Sequence, residues 1–182
     1  MNCRPIYNRW VIICKDVAIP HLTIINYPLS IKELIMYEPT INYLAVLVSA
    51  IIFFIIGGLW YSPILFANPW IKAMGFSDEK LKEMKEKGPG AKPFIISFIG
   101  GLIMAFVTAH IVDFMKVVFS DSGMSNLAIG LTTGFWLWLG YIATYSLNTI
   151  SYESKSWTFY FINTGYQLVG LFIMGAILAI WV

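Results

Sequence analysis

The sequence predicts an all-α integral membrane protein: a bundle of four transmembrane helices, with short interfacial and loop helices between the first two spans. Three observations predict it. The 182-residue chain is 58% hydrophobic and 16% aromatic but only 12% charged, against about 25% charged residues in an ordinary soluble domain. The charges are segregated: none lies in 39–71, and after Lys116 only Asp121, Glu153 and Lys155 follow. The apolar runs between them are about 20 residues long, enough at about 1.5 Å per residue to cross a hydrocarbon layer of about 30 Å.

Backbone N–H and C=O groups find no water to bond in lipid, so spanning segments are helices or closed barrels. Barrel strands alternate in polarity, and runs such as AIIFFIIGGLW do not. Residues 1–38 read as an N-terminal tail with Pro5, Pro20 and Pro28 and no sustained period. No apolar stretch followed by a small-residue cleavage site marks it as a signal peptide. If Lys32-Glu33 is encoded AAG-GAG it reads as a ribosome-binding sequence, with Met36 as the true start. The tail is then translated upstream DNA, and the N-terminal mass of the native protein decides the point. Cys3 and Cys14 lie in this tail and read as two ordinary thiols, since their spacing does not support a disulfide.

The membrane domain occupies 39–182, with spans expected at 41–61, 93–112, 127–150 and 157–181. Pro63, after Trp60-Tyr61-Ser62, stops the first. Asn68-Pro69 offers an N-cap and a first-turn proline for a short interfacial helix ending at Gly75. Ser77 caps a second short helix, DEKLKEMKEK, stopped by Gly88-Pro89-Gly90. In it Asp78/Lys82 and Glu83/Lys87 are i,i+4 pairs in the favourable order, Lys82/Glu86 is reversed and Glu79/Glu83 is like-charged, so it reads as a solvated loop helix. Pro93 opens the second span.

Basic residues near the membrane fall mostly on one side. Lys72, Lys80, Lys82, Lys85, Lys87 and Lys92 lie in loop one and Lys155 in loop three, against Lys116 in loop two and Lys32 in the tail. The positive-inside rule then places loops one and three in the cytoplasm of a multi-pass cell-membrane protein. Arg4, Arg9 and Lys15, farther out in the tail, narrow that margin. Tyr43, Trp60, Tyr61, Trp70, Trp157 and Trp181 mark the borders as an aromatic belt.

The net charge of +2 offers no basic excess for nucleic acid. No zinc-protease, nucleophile-elbow or phosphate-loop pattern appears, so no catalytic, cofactor-binding or metal residues are assigned and no enzymatic activity is inferred. His110 and Asp113, an i,i+3 pair at the far end of span two, read as a solvated surface pair, without a third ligand for a metal. Ser62 has no nearby base and reads as a helix-end residue. The polar residues inside the spans form a better pattern. Thr133, Gly140, Thr144 and Asn148 recur near one face of span three, and Asn163, Tyr166, Gln167 and Gly170 on one face of span four. Asn163 to Gln167 lie about 9–15 Å below Trp157 by helical rise. Thr144, Asn148, Asn163, Tyr166 and Gln167 are therefore expected to meet in one polar layer below Trp60-Tyr61-Ser62.

The block Trp60-Tyr61-Ser62-Pro63, followed by Leu65-Phe66, Trp70 and Gly75, is similar to that of the bacterial integral-membrane family called domain of unknown function 1761. Trp138-x-Gly140, Asn148, Trp157 and Asn163-x-Gly165-Tyr166 with Gly170 and Gly175 fit as well. The resemblance covers about 41–182. It implies a four-helix membrane protein and carries no activity or functional residue with it.

Two readings of the polar layer compete. One is interhelical glue, in which amides and hydroxyls bond across spans and Gly57-Gly58, Gly100-Gly101 and Gly130-x-x-x-Gly134 allow close approach. The other is a small polar cavity for an uncharged ligand or an ion's hydration shell. The protein thus reads as a multi-pass membrane protein of undefined biochemical role, with the lipid bilayer as its partner. A homo-oligomeric conduit for small solutes or ions is one alternative, assembled through Gly130-x-x-x-Gly134 unless that stripe packs within the chain. A membrane-embedded partner protein docking through loop one is another. A lipid-modifying enzyme ranks last, for want of a nucleophile, acid pair or metal set.

Overall fold

The computed structural model of the chain describes residues 3–5, 12–14, 37–88 and 90–181. The start-site expectation at Lys32 to Met36 lies outside the described residues. The tail contributes two short strands, β1 (Cys3–Pro5) and β2 (Ile12–Cys14), paired antiparallel with Cys3 opposite Cys14, an element that the all-helical expectation lacks.

The rest is helical, and four segments are long and apolar enough to cross a membrane. The first is α1 (Tyr43–Trp60), opened by Asn42, whose side chain accepts from Leu44 N and Ala45 N. Two short helices follow, α2 (Ala67–Met74) and α3 (Asp78–Lys87). The second span is α4 (Lys92–Val118), with Pro93 in its first turn where a missing N–H costs no hydrogen bond. The third is built of α5 (Asn126–Leu137), a π-helical segment (Trp138–Ala143) and α6 (Thr144–Ser151). The fourth is α7 (Trp157–Ile180). Ser77, Ser125 and Ser156 each cap a helix by accepting a backbone N–H three residues on.

Two boundary expectations and one expected ion pair need correction. Helix α2 starts at Ala67 with Phe66 as its cap residue, not at Asn68. The Ala67 N–H bonds to Ser62 O at 3.1 Å, so the helix begins early, and Pro69 still falls where an N–H would be an orphan. Helix α4 runs to Val118, past Asp113 and Lys116. Charges mark the edge of lipid; they do not break a helix. On α3, Glu83 gathers both Lys80 (2.9 Å) and Lys87 (3.5 Å), and the Lys80 hydrogen bond holds its carboxyl below the usual range. Asp78 and Lys82 do not form the expected pair among the described ion pairs.

Helix α7 packs against every other span. Its closest partner is α5, where the glycine stripe is used. A Cβ on Gly130 would overlap the Gly175 carbonyl, and one on Gly134 would lie 2.7 Å from Leu171 O. The Gly130-x-x-x-Gly134 stripe therefore packs within one chain. Away from loops one and three, Ala45, Ala50, Ala105, Ala109 and Met174 close the interior. Alanines on facing helices let the backbones come close. Ser49 is buried in the same region, and its hydroxyl has no hydrogen-bond partner.

At that end the chain before α1 is strapped to α4. Asp113 accepts from Tyr37 OH (2.6 Å), Thr40 N (3.1 Å) and Thr40 Oγ1 (3.3 Å). Burial, reinforced by this carboxylate, raises the Tyr37 phenol above its ordinary pKa. His110 instead donates from Nδ1 to the Phe106 carbonyl (2.8 Å). The expected His110–Asp113 pair is thus divided: the carboxylate serves the strap and the imidazole its own helix.

Candidate functional site

At the other end, 61–66 folds back in a tight reversal. Leu65 N bonds Ser62 O and Phe66 N bonds Trp60 O, both at 3.1 Å. Pro63 occupies the second position of the Ser62–Leu65 turn, which its fixed φ favours. Ser62 Oγ donates to Leu59 O at 2.6 Å, so it is a helix-end residue. The reversal lays α2 against α7. Gly75, at φ +70°, ends α2 in the left-handed region. The Lys155 ammonium donates to Met74 O (3.2 Å) and lies 5.8 Å from the Phe159 ring centroid. Loop three thereby latches the C-terminus of α2, where a cation is favoured.

Three residues read from sequence as aromatic belt turn inward. Trp60 Nε1 donates to Ile162 O (3.0 Å). Tyr61 OH (2.7 Å) and Trp70 Nε1 (3.2 Å) both donate to Asn163 Oδ1. A buried indole or phenol seeks an acceptor, and the Ile162 carbonyl and Asn163 amide of α7 supply them. Tyr43, Trp157 and Trp181 remain exposed as a belt requires.

These contacts frame a chamber between the spans. One hollow of about 610 Å³ lies between α1 and α4, and one of about 480 Å³ between α4, α6 and α7. They share Tyr61, Ser97, Met104, Tyr166 and Gln167. Tyr166 OH donates to Phe53 O at 3.2 Å, and its ring stacks on Phe53 with centroids 4.8 Å apart. Asn163 Oδ1 receives two donors, which fixes its amide and leaves its Nδ2 protons unused by them. Gln167 Oε1 is buried with no hydrogen-bond partner. Neither hollow is lined by Asp, Glu, His, Lys or Arg. Among the described residues no three His, Cys, Asp or Glu side chains gather as a metal site.

Of the expected polar layer, Asn163, Tyr166 and Gln167 come together. Thr144 and Asn148 do not. Both are exposed, and Thr144 Oγ1 donates back to Gly140 O at 2.6 Å. The π-helical segment is the cause. Its wider turns lag an α-helix by roughly a quarter to a third of a turn over six residues. A face projected from Thr133 at α-helical pitch therefore misses. Ile142 and Ser146 line the chamber instead. The register is held from outside: Tyr160 OH donates to Ala143 O (3.0 Å) and Trp138 Nε1 to Thr164 O (2.7 Å).

Residues 44–179 match the family described as "Protein of unknown function (DUF1761)". The chain belongs to this family. The match reaches all four membrane-length helices and takes in every residue of the chamber. No curated protein and no solved structure matches the chain. In this member of the family, sequence reading missed Ser97, Ser146 and Met104 as lining residues. Lone serines in apolar helices carry no periodic signal. The inward Trp60, Tyr61 and Trp70 carried no signal that set them apart from belt residues.

Proposed function

We propose that the chain is a multi-pass protein of the cell membrane, with loops one and three cytoplasmic. It binds small uncharged polar molecules in the Tyr61–Asn163–Gln167 chamber and carries them across the bilayer, without catalysis. One observation carries the reading: the Gln167 amide oxygen is buried beside the chamber with no partner. A polar group bearing no hydrogen bond in such a place costs about 1–3 kcal/mol, a cost that a donor-bearing guest removes. The uncharged lining favours a neutral guest, because no counter-charge offsets the desolvation of an ion. Toward the Asp113 end the packed alanines and Met174 close the interior, so movement is by binding and release rather than through an open pore.

Solute uptake by proteoliposomes, followed by stopped-flow light scattering with urea and glycerol, tests the reading. Wild-type flux is expected to exceed that of protein-free vesicles and to saturate with concentration. Gln167→Leu is expected to return it to the protein-free level while the protein stays folded. Equal flux in wild type and variant would overturn the proposal. Orientation is read separately, with Glu79→Cys in a Cys3→Ser, Cys14→Ser background. A membrane-impermeant maleimide is expected to label it only when the cytoplasmic face is opened. Labelling of intact cells would reverse the orientation.

A further inference from the structure

We propose that the chamber is also reached sideways from the lipid, through a slot between α1 and α4, which admits a further class of guest, amphiphiles with an uncharged hydroxyl or N–H group. This rests on the chamber being a binding site, and adds a second route of access and a further class of guest.

The slot is made by two glycine pairs. The inner glycines are filled: a Cβ on Gly57 would lie 2.8 Å from Tyr166 OH, and one on Gly101 3.0 Å from Phe53. The outer glycines, Gly58 and Gly100, are exposed, and a Cβ on either meets nothing within 4 Å. Each helix thus lacks a side chain where the hollow between them opens. Phe94 is 49% exposed at the mouth, and Ser97 beside it is exposed as well. Gly100 lies about 12 Å along α4 by helical rise, within the leaflet nearest loops one and three. An opening there meets acyl chains, not water.

The hollow has both apolar and polar walls. Phe54 and the exposed Phe94 line it together with the half-buried Tyr61 and Gln167. Its volume of about 610 Å³ falls in the range of small-molecule sites, about 300–1,000 Å³. An apolar body entering from the bilayer leaves no water behind and exchanges one apolar surface for another. Only its head gains, by donating a hydrogen bond to Gln167 Oε1 once the amide turns to meet it. A hydroxyl or N–H does this; a bare hydrocarbon does not. A charged head would lose its hydration with no counter-ion in the lining.

Photolabelling of the full chain in proteoliposomes tests both parts. The probes are octanol and octane, each carrying a mid-chain diazirine, with adducts located by mass spectrometry. The octanol probe is expected to modify Met104, Tyr61 or Tyr166, with excess octanol competing, and the octane probe is not. Gly100→Leu adds bulk in open space, so its thermal midpoint should match wild type. It is expected to cut labelling about tenfold by closing the mouth, equivalent to about 1.4 kcal/mol of lost binding. Gln167→Leu is expected to reduce octanol labelling to the octane level. Absence of adducts at the three residues, or equal labelling by both probes, overturns the proposal. If Gly100→Leu labels like wild type while Gln167→Leu does not, the sideways route is wrong and the chamber stands.

Discussion

Gly130→Ala is expected to cost this bundle more than any other single added methyl group. The new Cβ would overlap the Gly175 carbonyl, and Ala179 Cβ crowds the same point at 2.7 Å. Neither obstacle is the flexible end of a side chain, so relief requires α5 and α7 to move apart. That separation would also open the Gly134–Leu171 contact one turn on. Overpacking of a tight core costs about 1–3 kcal/mol, occasionally more, and the rigid backbone on both sides places this site at the upper end. The measurement is the thermal midpoint in detergent, followed by loss of the monodisperse peak on size exclusion. Gly58→Ala is the control, since its Cβ meets nothing within 4 Å. It should hold or slightly raise the midpoint, because alanine restricts the unfolded chain. Equal midpoints in the two variants would show that α5 and α7 do not meet through their backbones.

Asn163→Leu is expected to undock loop one. Its Oδ1 is the acceptor for both Tyr61 OH and Trp70 Nε1. Removing it orphans two part-buried donors at about 1–3 kcal/mol each. The readouts are a lowered thermal midpoint and faster tryptic cleavage at the lysines of α3, which follows the released α2. A double-mutant cycle with Tyr61→Phe makes the claim specific. The pair should cost less than the sum of the singles, because the phenol is no longer left unpaired. Additive losses would mean that Tyr61 and Asn163 do not bond. Gln167→Leu removes an amide oxygen that has no partner, so it should leave stability unchanged or raise it. This contrast makes Gln167, not Asn163, the position at which function can be probed without loss of the fold.

Much of the architecture was legible because lipid imposes one rule on every backbone group. Four apolar runs, Pro63 and Pro93 at helix boundaries and Ser77 as a cap were enough to place the elements. The site was legible on α7, where Asn163, Tyr166 and Gln167 follow uninterrupted α-helical spacing. It was lost on the third span, because no residue in Trp138–Ala143 announces a change of pitch. The clamps Tyr160–Ala143 and Trp138–Thr164 that hold this pitch are tertiary. Inward and outward tryptophans have the same composition, so Trp60 and Trp70 passed for belt residues until their acceptors on α7 were known. The Asp113 strap joins residues 73 and 76 apart in sequence, beyond the reach of local pattern. Reading His110 and Asp113 as a pair stopped at the nearest neighbour.

The partners of loop one impose an order on biosynthesis. Trp60, Tyr61, Trp70 and Met74 all find their bonds on 155–163, the stretch where loop three leads into the last span. During most of elongation those donors and that carbonyl have nothing native to hold. The first corner of the chain stays unsecured until the start of the last span has been made.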